Sequence, residues 1–235
     1  MTVNPKKYPW LSHWYEFTAA NYDAGSKAFA NLQTEFNRAP YLPVYDDGAS
    51  GDPTFSSASG YEGMVLNNNA TLSCRSMLLG EMTFCAVVEH TTTTGSQDIG
   101  LMGAGGATAR DNNWAVYFSN GVPRNRQVNG LASAATFGGR SGPQLLSGIV
   151  DSHGRHLAAS TNGQAFVDGV QLNRPNYYAQ TSPELWIGDA FWTGIDSRFV
   201  GTVFAIYAGP VDLLRRRPER MASLMAEIKT TWGIA

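Results

Sequence analysis

Apolar and polar positions alternate in short runs along most of this chain, and the stretch from Asp151 to Pro210 shows the pattern most clearly. It reads RHLAAST, then Asn162-Gly163, then QAFVDGVQL, a polar and aromatic loop, ELWIGD and finally FVGTVFAIYAGP. Each run is rich in Val, Ile, Phe, Trp and Thr and is closed by Gly, Asn or Asp, the punctuation of antiparallel strands joined by tight turns. Asn162 and Gly163 both accept positive φ, so the spacing predicts strands near 155–161 and 164–168 folded back through a primed turn, with a further reversal at Asp168-Gly169.

The same reading extends outward. In MTFCAVVEH, Phe84, Ala86 and Val88 alternate with Cys85, Val87 and Glu89, and both faces are largely apolar, as expected for a central strand. Strands are predicted at 97–102 and 113–118, flanking GAGGATARDN, and at 144–150. The glycines at 100, 103, 105 and 106 lack the following helix that a phosphate cradle needs, so they read as a loose hairpin. Residues 119–143 read as a Gly-rich loop, and 21–60 as long loops around one or two short strands. Near the end the period changes. Pro218 suits a first helical turn, and Met221, Leu224, Met225 and Ile228 fall at i, i+3, i+4 and i+7. A helix over about 217–231 follows, with Glu219 and Lys229 complementing its dipole and Gly233 ending it.

Several of these runs carry a resemblance. Phe166-Val167-Asp168-Gly169 is similar to the YVDG-type hairpin of laminin-G-like domains in the concanavalin A-like lectin/glucanase superfamily. Leu185-Trp186-Ile187-Gly188, the strand Gly201 to Tyr207 and the strand around Phe84 to Val88 look like three further strands of that family. The ending, an apolar helix closed by Thr231-Trp232-Gly233-Ile234, resembles the tail common in bacteriophage versions of the domain. The match covers roughly the last two thirds of the chain. It implies an all-β, two-sheet antiparallel jelly-roll sandwich with a C-terminal α-helix. It fixes no ligand, because the scaffold hosts lectins, hydrolases and structural modules.

Composition narrows the function. A chain of 235 residues, 43% hydrophobic, can bury one sizeable core, so 21–235 is expected to form a single domain. A net charge of −2 with 15% charged residues offers no footprint for a polyanion, and nucleic-acid binding is not expected. The first residues lack an apolar run of signal-peptide length and no segment reaches a membrane span, so neither export by the general route nor membrane insertion is expected. Cys74 and Cys85 sit in or near apolar runs and read as two buried thiols, a single disulfide being the lesser reading.

Candidate chemistry is sparse. Hydrolases of the resembled superfamily place two carboxylates on one strand face, typically Glu-x-Asp-x-x-Glu, whereas Glu62, Glu81, Glu89 and Glu184 are isolated. Asp46, Asp47 and Asp52 lack calcium-loop spacing and read as turn chemistry, and His153 and His156 lack a ligand set for zinc. No catalysis, metal or cofactor is expected.

Two non-enzymatic roles remain. Residues 1 to about 20 form an aromatic N-terminal arm whose rings either pack on the chain's own sandwich or, with Tyr8, Trp10, Trp14 and Tyr15 as anchors, dock on a neighbouring subunit. Arg215 to Arg217 read as a solvated run or an acidic contact on a partner. The main expectation, resting on the phage-like ending, is a bacteriophage virion structural protein. It would be a capsid decoration or tail component located in the virion, oligomeric or lattice-bound, contacting other virion proteins and a surface glycan. The alternative is a carbohydrate-binding module. There Tyr177, Tyr178 and Trp192 would be platforms, and Asn176, Asp189 and Asp196 polar partners, unless these rings simply close the end of the sandwich.

Overall fold

The structure is a computed structural model. It describes residues 3–33, 44–46, 53–57, 60–67, 72–75, 81–90, 98–105, 114–119, 122–127, 130–133, 141–151, 156–171, 184–188 and 197–235. In chain order the strands begin with β1 (His13–Glu16), β2 (Tyr22–Asp23), β3 (Ala28–Phe29), β4 (Val44–Asp46), β5 (Thr54–Ser56), β6 (Gly63–Asn67) and β7 (Leu72–Arg75). They continue with β8 (Glu81–His90), β9 (Asp98–Gly105), β10 (Trp114–Ser119), β11 (Val122–Gln127), β12 (Gly130–Ser133), β13 (Gln144–Asp151) and β14 (His156–Thr161). The last are β15 (Val167–Asp168), β16 (Val170–Gln171), β17 (Glu184–Ile187), β18 (Ser197–Arg198) and β19 (Val200–Gly209), followed by helices α1 (Leu213–Arg216) and α2 (Pro218–Thr231).

These strands make an all-β sandwich. One sheet runs β15-β14-β13-β8-β19-β6-β5, with β1 also on β19; the other runs β16-β12-β11-β10-β9-β17-β7-β4-β3-β2, with β18 parallel to β9. Strand alternation in β8 sends Phe84, Ala86 and Val88 into the core between the sheets, together with Leu101, Val116, Phe118 and Ile187 of the facing sheet. Cys85 and Val87 point the other way, into a second core closed by the helices and the N-terminal segment. A register shift in β19 between Val203 and Ala205 turns both Phe204 and Ala205 toward this second core. The central strands β8 and β19 are therefore buried on both faces.

The turn expected at Asn162-Gly163 is present, with φ of 49° and 72°, but the return strand expected over 164–168 is only β15, where Val167 and Asp168 pair with Ala159 and Ala158. The reversal expected at Asp168-Gly169 is not a hairpin. β15 pairs with β14 in one sheet and β16 with β12 in the other, so the chain crosses between the two edges there. The loop expected over 119–143 contains β11 and β12, which pair antiparallel, and the loops expected over 21–60 contain four short strands. Cys85 is a free, buried thiol, pushed up to about 12 by burial; the side chain of Cys74 lies outside the described residues.

Residues 3 to about 20 do not stand off as an arm. β1 pairs with β19 from His13↔Ala208 to Glu16↔Ala205, and Tyr8, Trp14 and Tyr15 are 1%, 2% and 0% exposed. They cover hydrophobic surface of their own chain, which is where burial stabilises rings most. The docking role expected for Tyr8, Trp14 and Tyr15 has no surface to work from, and Trp10 is half-buried against Tyr8. Side chains stitch the segment down: Asn31 accepts from the Trp14 amide and donates to the Ser12 carbonyl, and the Tyr8 hydroxyl donates to Glu227 of α2.

Helix α2 starts at Pro218, buries Met221, Leu224 and Ile228, and has Glu219 and Lys229 at its dipole ends. Before it, α1 is capped by Asp212, whose side chain accepts from the Arg215 amide. Within the basic run, Arg216 finds an acid in the chain itself, lying 2.7 Å from Glu81. Asp212 also accepts from His156 Nδ1 at 2.5 Å, and His156 Nε2 faces Asp168 at 3.4 Å, so one imidazole ties the helix start to β14 and β15.

Two predictions come from this packing. Leu224→Ala is expected to destabilise the fold by about 2–5 kcal/mol, read as a shift in urea midpoint, whereas Ala222→Ser on the exposed face changes it by less than about 0.5 kcal/mol. The second concerns pH. The hydrogen bond to Asp212 holds His156 above its ordinary value of 6.5, so its stabilisation is complete below that value and is lost as pH rises through the raised folded pKa. Burial lowers His13 and His90 to about 4, so their contributions are present above about 6.5 and are lost as pH falls toward 4. The midpoint should thus decline on both sides, and His156→Gln should remove the decline that begins above about 6.5, leaving the acid one and the loss above about 9 where the buried Cys85 thiol opposes ionisation.

Candidate functional site

A cleft of about 560 Å³ opens on the helix side of the first sheet, lined by Tyr61, Glu89, Ser141 to Gln144, Asn162 and Trp232 to Ala235. Its size lies in the ~300–1,000 Å³ range of small-molecule sites. Local rules of chain geometry place each wall.

The first wall is the end of α2. The Ile234 amide donates to the Lys229 carbonyl and the Trp232 amide to the Ile228 carbonyl, with Gly233 at φ +62°, a Schellman-type ending that needs glycine. Trp232 is turned inward by a hydrogen bond from its Nε1 to the Tyr207 hydroxyl and by packing 5.7 Å from Phe204. Tyr61, just before β6, lies over this ending. Its ring centre is 5.5 Å from that of Trp232, and a Cβ at Gly233 would sit 2.5 Å from its hydroxyl. The missing side chain at 233 is what lets the tyrosine ring approach.

The second wall is polar. Asn162 holds the left-handed first position of the hairpin turn; its amide donates to the Leu145 carbonyl, and its Oδ1 accepts from the Leu145 amide at 2.9 Å. That leaves its NH₂ as the remaining donor. Glu89, the penultimate residue of β8, projects to the helix side by strand alternation. Its Oε1 accepts from the Gly142 amide at 2.7 Å, and its other oxygen has acceptor capacity to spare. A stacking face thus stands beside an acceptor, a donor and the hydroxyl of exposed Ser141.

Other titratable groups among the described residues are tied up within the fold. The buried His156 meets Asp212 and Asp168, and no hydroxyl or thiol nucleophile is among its hydrogen-bond partners. His13 bonds Ser12 at 2.8 Å but is itself buried, and His90 stacks on Phe118 at 4.4 Å in the inter-sheet core. Of the isolated glutamates, Glu62 accepts from the Ala19 amide and Glu81 from the Asp212 amide and Arg216. Among the described residues, no group of three or more His, Cys, Asp or Glu is placed to hold a metal ion.

The glycan candidates Asn176, Tyr177, Tyr178, Asp189, Trp192 and Asp196 lie outside the described residues, as do Asp47, Asp52 and His153. The cleft itself was only half visible in sequence. Asn162-Gly163 and Trp232-Gly233 stand out there as a turn and a helix ending, but nothing in the pattern brings them to Tyr61 and Glu89.

No family model matches this chain, and no curated protein matches it. Solved structures do. The chain is similar to domain 4 of AbnA, a GH43 extracellular arabinanase from Geobacillus stearothermophilus solved with arabinotriose, at 14% identity and TM-score 0.57 over 92% of this chain and 98% of that one. It is similar to the binding domain of botulinum neurotoxin serotype D/C at 6% identity and TM-score 0.63, over 94% of this chain and 53% of that one. It is also similar to Trypanosoma rangeli sialidase, solved with 2,3-difluorosialic acid, at 12% identity and TM-score 0.58. That match covers 92% of this chain and 33% of the sialidase, so the chain spans only a third of the enzyme. At these identities the likeness is one of fold, a β-sandwich shared with carbohydrate-binding and sialidase-type proteins.

Because Gly233 has both a left-handed φ and the Tyr61 hydroxyl against it, Gly233→Ala is expected to cost about 1 kcal/mol or more and to displace Tyr61. A lowered melting temperature together with an altered near-ultraviolet signal from Tyr61 and Trp232 is the expected readout.

Proposed function

We propose that this chain is a carbohydrate-binding module of lectin-like sandwich type, holding its glycan in the cleft beside the α2 ending without cleaving it. The observation that carries this reading is the pairing of the Tyr61 face with convergent polar groups from Glu89, Asn162 and Ser141. A sugar ring has an apolar C–H face that packs on an aromatic ring, and a rim of hydroxyls that needs donors and acceptors at once. The likeness to domain 4 of the arabinanase, which holds arabinotriose, supports the same reading across nearly the whole of both chains.

Cleavage of a glycosidic bond by the common route uses two carboxyl groups, about 5–5.5 Å apart for retention or about 6.5–9.5 Å for inversion. Among the described residues lining the cleft, Glu89 is the one acidic side chain. This set supports a reading of binding without turnover.

The ending Thr231 to Ile234, which resembles that of bacteriophage domains, favours a second reading of where the module works: in a virion, as a capsid decoration or tail subunit that meets a surface glycan. That setting rests on the resemblance of the tail.

Tyr61→Ala is expected to weaken glycan binding at least about tenfold, measured by titration calorimetry with arabinotriose and by a glycan array, while Tyr61→Phe retains most of it. Array binding that survives Tyr61→Ala but disappears with Tyr178→Ala or Trp192→Ala would move the site to the loops around 174–180 and 189–198.

A further inference from the structure

We infer that the cleft selects neutral glycans over those bearing a carboxylate, and that Glu89 makes the distinction. This rests on reading the cleft as a glycan site. Among the described residues that line it, Glu89 is the one charged side chain, and it is held in place. Its Oε1 is fixed by the Gly142 amide, which a buried glycine at φ +97° presents. Its backbone is fixed by β19, for Gly201 packs so closely that a Cβ there would collide with the Glu89 carbonyl oxygen. A half-buried carboxylate pinned at both backbone and side chain does not swing aside for an incoming anion.

What it offers is its second oxygen, an acceptor for sugar hydroxyls through charge-assisted O–H···O⁻ bonds, which are stronger than neutral ones. Asn162, with its oxygen already committed to Leu145, supplies a donor to a neighbouring hydroxyl or ring oxygen. A neutral sugar satisfies both. A sialic or uronic acid instead brings a second negative charge into a partly dry cleft, and like charges brought together there cost affinity. Among the described residues, a nearby cation is Lys229. Its side chain runs over Gly163, where a Cβ would lie 3.0 Å from its Cδ, but it does not line the cleft.

The test compares matched sugars on the full chain. Arabinotriose and lactose are titrated beside sialyllactose and a galacturonate trimer, with wild type, Glu89→Gln, Lys229→Ala and Tyr61→Ala. The expected result is that wild type prefers the neutral pair by at least about tenfold. Glu89→Gln, which keeps an acceptor for Gly142, should weaken neutral binding and shrink that ratio, whereas a merely structural loss would lower both classes together. Wild-type preference for an acidic sugar, lost in Tyr61→Ala or Lys229→Ala, overturns the inference while leaving glycan binding in the cleft intact. An unchanged ratio in Glu89→Gln also overturns it. If none of the four sugars, nor any glycan on an array, binds wild type, the functional reading falls and this inference with it.

Discussion

Strands β8 and β19 are apolar on both faces, and each face has to be kept from water by a different part of the chain. The facing sheet covers one, with Phe84, Val88, Val203 and Ile206 meeting Leu101, Val116, Phe118 and Ile187. The other is covered by pieces from opposite ends of the sequence: Val3 to Trp14 from the beginning, and Leu213 to Ile234 from the end. Hydrophobic burial is non-directional, so it explains why something must cover that face. The particular arrangement comes from polar ties. Tyr8 and Lys7 reach Glu227, Asn31 bridges Trp14 and Ser12, and Asp212 couples the helix start to His156.

The legibility of the chain follows the origin of each element's stability. β8, β13, β14, β19 and α2 carry their period in their own side chains, so they are readable from sequence nearly to the residue. β11, with Pro123, Arg124 and Arg126, has no such period; it is a strand because β10 and β12 hydrogen-bond to it from either side. The N-terminal rings illustrate a different limit. Aromatic residues suit a core and an interface equally, and only the pairing of β1 with β19 decides for the core. At Asp168-Gly169 the sequence has turn chemistry, but chain direction through a turn does not say whether the next strand returns to the same sheet.

The cleft was hidden for a related reason. Tyr61 precedes an unremarkable strand, Glu89 ends a buried one, and neither residue has a local signature of binding. Their meeting depends on two glycines reserved for backbone reasons, Gly233 ending a helix and Gly201 letting β19 pass β8. The carboxylate spacing expected of a hydrolase was legible as missing, whereas a lone acid among amides and an aromatic ring becomes meaningful only once they share a wall.

That wall is assembled from residues 61, 89, 141 to 144, 162 and 232 to 235. No fragment of the chain holds more than a part of it, and the denatured state holds none. A ligand held there would act as a cross-brace between the hairpin, the central strand and the helix cap, and by mass action would add RT ln(1 + [L]/Kd) to the free energy of unfolding the whole sandwich. Binding at this wall would thus be linked to the folding of the whole sandwich and not to the ordering of one element.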